Sequence, residues 1–438
     1  MKRYITRTTS HFHENSHDES FSYVLIFGDE VDTIGIEENN REKVISRGRE
    51  GWIDKEHLGT ECVLESYFID VGQGDSTYIV TPGRKKILVD GGINDRALRF
   101  LAWKYRLDKS DPSKPIEIDL LVLTHPDEDH IKGLIPIINH QKIKVKEIIH
   151  SGIATFKKNT YDNELGNLIT DNGEQFLVTR HNTIDQLNNN ELSDTFLSWK
   201  NTISSKGDII YRAVNSSDSQ VDIGDNKVKL KVLGPKLEER DNKLVYRWLG
   251  SKPQTINGHS VIFTLTYGNV SFHMSGDLNK IAAEYLIKDQ TLKCNMDAHV
   301  LKAPHHGSND FDAEWLNAVN PQITVISSGD EPDHGHPRAN FIGFCGKASR
   351  SREPLIFSTE IASTFKDFDD DLSDILIGDE ERKVLDDTAM GKLRLLYKRR
   401  LHGMINVRTD GRKIYAARRV NAPYQWESYG DIKPSART

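Results

Sequence analysis

The chain has 438 residues, of which 28% are charged and 37% hydrophobic, a globular composition that excludes a fibrous or wholly disordered protein. Its 58 lysines and arginines are outnumbered by 65 aspartates and glutamates, and the net charge of −7 excludes a basic surface over the whole molecule. A chain of this length is expected to contain two or three domains.

The sequence offers no obvious targeting or membrane segment. Its N-terminus lacks the apolar stretch of a secretory signal, and no later segment approaches the roughly 18 apolar residues of a membrane-spanning helix. We therefore expect a cytoplasmic protein that has no membrane partner.

The first sixty residues divide into two parts. Residues 1–20 are polar, and we predict a flexible tail there. Residues 21–61 contain short β-type runs, YVLIFGDEV and KVISRGREGWI, separated by glycine and charge clusters. This pattern predicts a small all-β module that resembles bacterial SH3-like modules, and such a module is a candidate binding site for a protein partner.

The remaining chain, residues 62–435, has the pattern of one α/β domain. Three apolar runs, VLESYFIDV, STYIV and KKILVD, predict consecutive antiparallel strands, and RALRFLAWKYRL has a helical period. The run IDLLVLTH predicts a strand that is buried on both faces. Residues from about 155 to 220 are polar and rich in asparagine, and we interpret them as an insertion or lid, after which strand patterns resume.

The segment LLVLTHPDEDHIKGL carries the strongest chemical signal. The predicted buried strand delivers four side chains into one loop: His125, Asp127, Asp129 and His130. Imidazole and carboxylate ligands suit Zn(II), Mn(II) or Fe(II), and the first and second pairs of side chains could each hold one ion of a two-ion site. The alternative is a charged surface loop whose aspartates cap a helix.

Further candidate ligands follow other apolar runs. Asp277 stands in HMSGDL, and His305 and His306 stand in LKAPHHGS, each after a predicted strand. His150 ends the run KEIIH, where it either binds metal or only occupies the sheet edge. His336, in HGHPR, could bind metal, hold a substrate oxygen or protonate a leaving group.

Seven motifs in this order resemble one known fold: DVGQGD, ILVDGG, THPDEDHIKGL, NGHSVIFTL, SGDL, LKAPHHGS and GHP. They are similar to the metallo-β-lactamase fold, in the branch typified by the hydrolase domain of the ComEC competence proteins. The resemblance implies an α/β fold, an αββα sandwich with a two-ion site at one sheet edge. The commoner loop of the superfamily is HxHxDH, whereas this chain has Asp127 at the second position, as the ComEC-like branch does.

The resemblance also implies roles for individual residues. Asp90 corresponds to a buried aspartate that supports the metal loop, and the glycine-rich loop ending at Asp75 is expected to approach the ions. Asp129 could act as base as well as ligand, and His306 and His336 are further catalytic candidates. The implied metal ligands are His125, Asp127, Asp129, His130, Asp277 and His305, with His306 as the open alternative to His305.

The leading functional hypothesis is a metal-dependent phosphodiesterase, because the ComEC-like branch implies nucleic-acid hydrolysis by a hydroxide that bridges two Zn or Mn ions. A basic stretch late in the chain, which includes Arg399, Arg400, Arg412 and Lys413, is the candidate nucleic-acid contact. These side chains could instead neutralise the acidic run at 367–387. A free-standing enzyme with a β module would fit a cytoplasmic anti-phage effector.

Two other classes of function stay open. A hydrolase of a small ester, lactam or cyclic phosphodiester could use the same site, and the negative net charge agrees with that hypothesis. A non-enzymatic scaffold with a structural metal site is the third, although the complete set of candidate ligands argues against it.

Overall fold

An all-β unit forms the first sixty residues in the computed structural model, which describes residues 1–46, 48–218, 220–329, 335–360, 403–419 and 426–436. Four of its strands, β6, β5, β4 and β1, form a sheet in that order with β7 at the edge, and β2 pairs with β3. The strands are β1 (Lys2–Ile5), β2 (Thr9–Phe12), β3 (Tyr23–Ile26), β4 (Glu30–Glu38), β5 (Arg41–Ser46), β6 (Arg49–Asp54) and β7 (Leu58–Gly59).

This unit differs from the predicted flexible tail followed by a module at 21–61. β1 pairs with β4, and β2 pairs with β3, so the unit begins at residue 2. Ile5 and Phe12 are buried in its core together with Val31 and Val44. Two strands of four residues are too short for their alternation to stand out in a polar segment, and each pairs with a strand that is not its direct hairpin neighbour in a tight turn. The SH3-like assignment stays a prediction.

Two β-sheets form the centre of the larger domain. The first has the order β17-β14-β12-β10-β9-β8-β26-β27-β28, and the second has the order β18-β21-β22-β23-β24-β25. The strands are β8 (Leu64–Phe68), β9 (Thr77–Val80), β10 (Lys86–Val89), β11 (Ile116–Ile118), β12 (Leu120–Leu123), β13 (Ile143–Val145), β14 (Glu147–His150), β15 (Leu168–Asp171), β16 (Glu174–Leu177), β17 (Ile210–Ala213), β18 (Val228–Gly234), β19 (Glu238–Arg240), β20 (Lys243–Arg247), β21 (Ile262–Tyr267), β22 (Val270–Met274), β23 (Val300–Lys302), β24 (Ile323–Ile326), β25 (Leu355–Ser358), β26 (Ile405–Thr409), β27 (Ile414–Arg419) and β28 (Trp426–Ile432).

Helices cover the outer face of each sheet. Phe100, Ile137 and Trp199 bury against the first sheet, and Trp315 and Phe341 belong to the apolar cluster on the second. The helices are α1 (Arg96–Tyr105), α2 (Glu128–Ile131), α3 (Leu134–Asn139), α4 (Asp194–Ser204), α5 (Lys252–Gly258), α6 (Lys280–Ile287), α7 (Gln290–Lys293), α8 (Ala313–Val319) and α9 (Ala339–Ala348). Since a third apolar cluster joins the inner faces of both sheets, the αββα architecture is confirmed.

The polar segment predicted as an insertion is only partly one. α4 buries Phe196 and Trp199 completely, and β17 extends the first sheet by pairing in parallel with β14. β15 and β16 form a separate small sheet with β20 and β19. The stretch LSDTFLSWKNTI has a weak helical pattern in the sequence, and α4 lies within it, with a helical spacing of three and four residues from Phe196 to Trp199 and Ile203.

A buried arginine joins the all-β unit to the larger domain. Arg408 of β26 donates to the carbonyl of Phe27 at 2.5 Å, to Asp29 Oδ1 at 2.8 Å and to the Tyr67 hydroxyl at 3.0 Å. The rings of Phe27 and Tyr415 stack beside it, with centroids 3.9 Å apart. The two parts of the chain therefore share a desolvated polar contact and an apolar one.

Candidate metal centre

The loop at residues 125–130 follows a strand that is buried along its whole length. β12 is LLVL, and it lies between the parallel strands β10 and β14. His125 comes directly after Thr124 at the strand end, and α2 then begins after Asp127. This short helix turns the chain so that Asp129 and His130 face the same side as His125, with His130 Nε2 3.9 Å from Asp129 Oδ1.

Two strands of the second sheet bring further ligands to this loop. Asp277 follows β22, and His306 follows the parallel neighbour β23. Asp277 Oδ2 lies 3.2 Å from His306 Nε2, 3.4 Å from His130 Nε2 and 4.0 Å from His125 Nε2. Three imidazoles thus point at one carboxylate oxygen where the two sheets meet.

The donor atoms fit divalent ions. The Nε2 atoms of His125, His130 and His306 are buried and lack a hydrogen-bond partner among the described residues. Two overlapping groups of three have ligand atoms within 4.8 Å of one another: His125 with His130 and Asp277, and Asp129 with His130 and His306. Buried polar atoms without partners are costly, and imidazole with carboxylate is a donor set for Zn(II) or Mn(II). We call these residues, with Asp127, the His/Asp cluster.

Asp90 orients the imidazole of His130 through a hydrogen bond to the ring nitrogen that faces away from Asp277. It follows β10, and its Oδ2 accepts hydrogen bonds from His130 Nδ1 at 2.9 Å and from the Thr124 hydroxyl at 2.7 Å. Its Oδ1 accepts from the Thr124 backbone N–H. Because Nδ1 is held in this way, His130 presents Nε2 to Asp277, and such supporting carboxylates also raise the basicity of a ligand.

The glycine-rich loop passes directly under the 125–130 loop. Gly74 has φ +92°, and a Cβ at this position would lie 1.8 Å from the carbonyl oxygen of Asp129. Asp75 comes next and is buried, with Oδ1 3.4 Å from His306 Nδ1. His306 Nδ1 also lies 3.2 Å from the carbonyl of Ser327, so its Nε2 is left to face the cluster.

Lys302 is part of the site and was missed by the sequence interpretation. It ends β23, is 3% exposed, forms an ion pair with Asp75 and lies 3.8 Å from Asp277 Oδ1. Burial lowers the pKa of its ammonium, while the two carboxylates favour the charged form. The available signal was a lone basic residue inside the apolar run VLKA.

Burial and neighbouring charges shift the pKa values of the cluster residues. Burial lowers the pKa of His125 to about 3, and burial with the neighbouring Asp129 raises the pKa of Asp127 to about 7. Burial acts the other way on His306, but the carboxylates of Asp277 and Asp129 raise its pKa to about 9. An imidazole must lose its proton to bind an ion, so ion binding and protonation compete at His306.

Three other histidines were candidates from the sequence: His305, His336 and His150. The metal-capable groups among the described residues contain His306 and not His305, the ligand chosen from sequence. The ring of His336 is centred 5.7 Å from that of His305 and 6.3 Å from that of His306. His150 stacks on Tyr211 instead, with ring centroids 4.0 Å apart.

The structure separates the described part of the basic stretch from the cluster. Arg412 and Lys413 lie exposed in the turn after β26, and Thr409 of that strand pairs with Leu64 at the start of β8. The cluster lies beyond the opposite end of β8, about 16 Å away along the strand. Arg399, Arg400 and the acidic run at 367–387 lie outside the described residues.

In the part of the chain that the structure describes, no helix is long and apolar enough to cross a membrane.

Comparisons with known proteins agree with this geometry. Residues 69–329 match the family described as the metallo-beta-lactamase superfamily. The chain is 24% identical over 285 residues to ComE operon protein 3 of Bacillus subtilis (strain 168), which covers 61% of this chain and 29% of that protein. The chain therefore spans less than a third of the length of this relative.

Similarity to solved structures is weaker. A CmlA beta-hydroxylase mutant gives a TM-score of 0.35 with 11% identity, over 70% of this chain and 54% of that one. NlpC1 from Trichomonas vaginalis gives a TM-score of 0.13 with 17% identity, over 18% and 35%. TM-scores of this size do not establish a common fold. The family match, in contrast, covers more than half of the chain and all of the His/Asp cluster, and the chain belongs to the metallo-beta-lactamase superfamily, whose members are metal-dependent hydrolases.

Proposed function

We propose that this hydrolase is a metal-dependent phosphodiesterase that cleaves nucleic acid. The convergence of three unpartnered imidazole Nε2 atoms on Asp277 Oδ2, beside the carboxylates of Asp127 and Asp129, carries the proposal. The motif resemblance to the ComEC-like branch supports nucleic acid as the substrate. The coarser assignment, a hydrolase of the superfamily, holds without that step.

The cluster residues would hold divalent ions, which act as Lewis acids and lower the pKa of bound water. Asp129 remains ionised at neutral pH because, although burial opposes this, His130 and His306 hold its pKa well below the usual range. Its ionised carboxylate can therefore bind an ion and accept a hydrogen bond from the attacking water, which would orient that water. His336 is half-buried beside His306 and is our candidate for the acid that protonates the leaving oxygen.

Two cations lie near the 125–130 loop and are candidates for contacts with substrate phosphates. Arg96 is 42% exposed, pairs with Asp70 and packs on Gly72 of the glycine-rich loop. Lys252 is 34% exposed, and its charge acts on the carboxyl of Asp127. Cations at the rim of an anionic site favour a polyanionic substrate through their attraction for phosphate.

A small-molecule hydrolase is the second candidate. The position of Arg412 and Lys413 at the far edge of the sheet favours it, because these side chains do not extend the site. Nucleic acid bound at the cluster would have to reach across the sheet to touch them.

The test combines metal, substrate and charge variants. EDTA should abolish cleavage of plasmid, single-stranded DNA or RNA, and Mn(II) or Zn(II) should restore it. In an Asp129→Asn background, which prevents cleavage, Arg96→Gln and Lys252→Gln should each reduce the slope of log affinity against log salt by about 0.7 to 0.9. The matched pair Arg412→Gln with Lys413→Gln should leave the slope unchanged if substrate binds only at the cluster.

The outcomes separate the candidates. Metal-dependent turnover of bis-(p-nitrophenyl) phosphate without any nucleic-acid cleavage would support a small-molecule hydrolase. Loss of salt slope in the Arg412 and Lys413 variant would show that the far edge also contacts phosphates. A protein that binds no divalent ion after reconstitution would contradict the proposed function.

A further inference from the structure

Lys302 occupies an unusual position for a lysine. Its side chain is 3% exposed, and its Nζ contacts Asp75 Oδ2, lies 3.8 Å from Asp277 Oδ1 and donates to the carbonyl of Gly276 at 3.1 Å. Lysine is almost never buried so completely unless it is paired. All three contacts are to oxygen atoms, and two of these belong to carboxylates that also face the cluster.

In Asp277 and in Asp75, one carboxylate oxygen faces Lys302 and the other faces a histidine of the cluster. Asp277 points Oδ2 at the three imidazoles and Oδ1 toward Lys302. Asp75 points Oδ1 at His306 Nδ1 and Oδ2 at Lys302. Asp75, Asp277 and His306 also form a group whose ligand atoms lie within 4.8 Å of one another, as a metal site requires. Lys302 Nζ already lies between the two carboxylates of this group.

We propose that the ammonium of Lys302 is a resident cation of the centre, which occupies a position that a further divalent ion would otherwise take. The contacts at Nζ are an oxygen set of two carboxylates and one carbonyl, which is the donor type that Mn(II) or Mg(II) prefers. The ammonium thereby confines the exchangeable ions to the side of Asp277 that faces His125, His130 and His306.

The charge of the site agrees with this arrangement. The centre holds five carboxylates, from Asp75, Asp90, Asp127, Asp129 and Asp277. The ammonium of Lys302 adds a positive charge directly beside two of them, Asp75 and Asp277. A buried charge without a partner is costly, so this compensation favours the folded state.

The decisive variant is Lys302→Met, which preserves side-chain length and removes the charge. With Mn(II) as the only metal, bound metal measured by elemental analysis should rise by about one ion per chain over wild type. In EDTA the melting temperature of the variant should fall by at least about 5 °C, because Asp75 and Asp277 lose their cation. Added Mn(II) should then raise the melting temperature of the variant more than that of wild type.

Lys104→Met is the matched control. Lys104 is also buried, pairs with Glu65 at 3.1 Å and contacts the Tyr67 hydroxyl at 2.8 Å, and it lies at the C-terminal end of α1, away from the cluster. Its replacement should lower stability equally with and without Mn(II) and leave the metal content unchanged. If Lys302→Met behaves in the same way, the inference is overturned.

A second variant covers the case in which Lys302→Met does not fold without metal. The pair Asp75→Asn with Lys302→Met removes opposite charges together, so it should recover metal-free stability and keep the wild-type metal content. If that pair folds while Lys302→Met stays unfolded in saturating Mn(II), a divalent ion cannot replace the ammonium and the inference fails. The inference rests on the proposed metal centre, and the two failures differ: a wild-type protein that binds no ion refutes the centre itself.

Discussion

His305 and His306 show how one residue changes the chemistry of a site. Both have positive φ, +44° and +53°, a conformation that side chains with a Cβ rarely adopt. His306 Nε2 lies 3.5 Å from Asp129 Oδ2 and 3.2 Å from Asp277 Oδ2, whereas His305 belongs to none of the metal-capable groups among the described residues. Sequence alone cannot choose between them, because the choice depends on this local backbone and not on the order of residues.

At this scale we expect His306→Ala to lower Mn(II) or Zn(II) affinity by more than about tenfold, since even residues that only support ligands commonly contribute that much. His305→Ala should leave the affinity within about threefold of wild type. Titration with a competing metal indicator measures both. Equal losses in the two variants would mean that His305 is a ligand after all.

At the scale of elements, strand order decides which sequence motifs meet. β10, β12, β22 and β23 belong to two sheets, yet their carboxyl ends bring Asp90, His125, Asp277 and His306 together. β26 runs antiparallel to β8. The turn that follows β26, with Arg412 and Lys413, therefore lies at the end of the strands opposite the cluster. The strand patterns were predictable from hydrophobic runs, whereas this orientation required the pairing.

The contact between the all-β unit and the larger domain leads to a prediction about stability. Asp29→Ala should lower the free energy of unfolding by about 3 kcal/mol, because it leaves the buried Arg408 without its main carboxylate partner. Urea unfolding at pH 7 measures the change. Asp32→Ala, an exposed change on neighbouring β4, is the control and should be nearly neutral. Equal stability of the two variants would show that the link contributes little.

For the whole molecule, several histidines outside the His/Asp cluster are buried. Burial lowers the pKa of His181 and His273 to about 3 and that of His259 to about 4. The folded chain therefore keeps these rings neutral at pH values where the unfolded chain binds protons. Stability falls as pH falls from the unfolded value of 6.5 toward these lower values, because the unfolded state binds more protons in that range.

We accordingly expect the urea midpoint, measured in EDTA, to decline between pH 7 and pH 4.5. His259→Gln retains an N–H that can donate to the carbonyl of Arg247 but does not titrate, so its stability should depend less steeply on pH. A variant with the same pH slope as wild type would exclude His259 as a contributor.

The sequence by itself determined the α/β class, the buried strand before His125 and most of the ligand types, because hydrophobic period and strand-end motifs are local features. It also placed Asp90 and Asp75 among the candidates through the motif resemblance. Only the tertiary structure decided that His306 rather than His305 faces Asp277, that Lys302 enters the centre and that residues 2–5 and 9–12 form strands. Each of these depends on contacts between segments far apart in the chain, such as Lys302 with Asp75, and such contacts leave no periodic signal in the sequence.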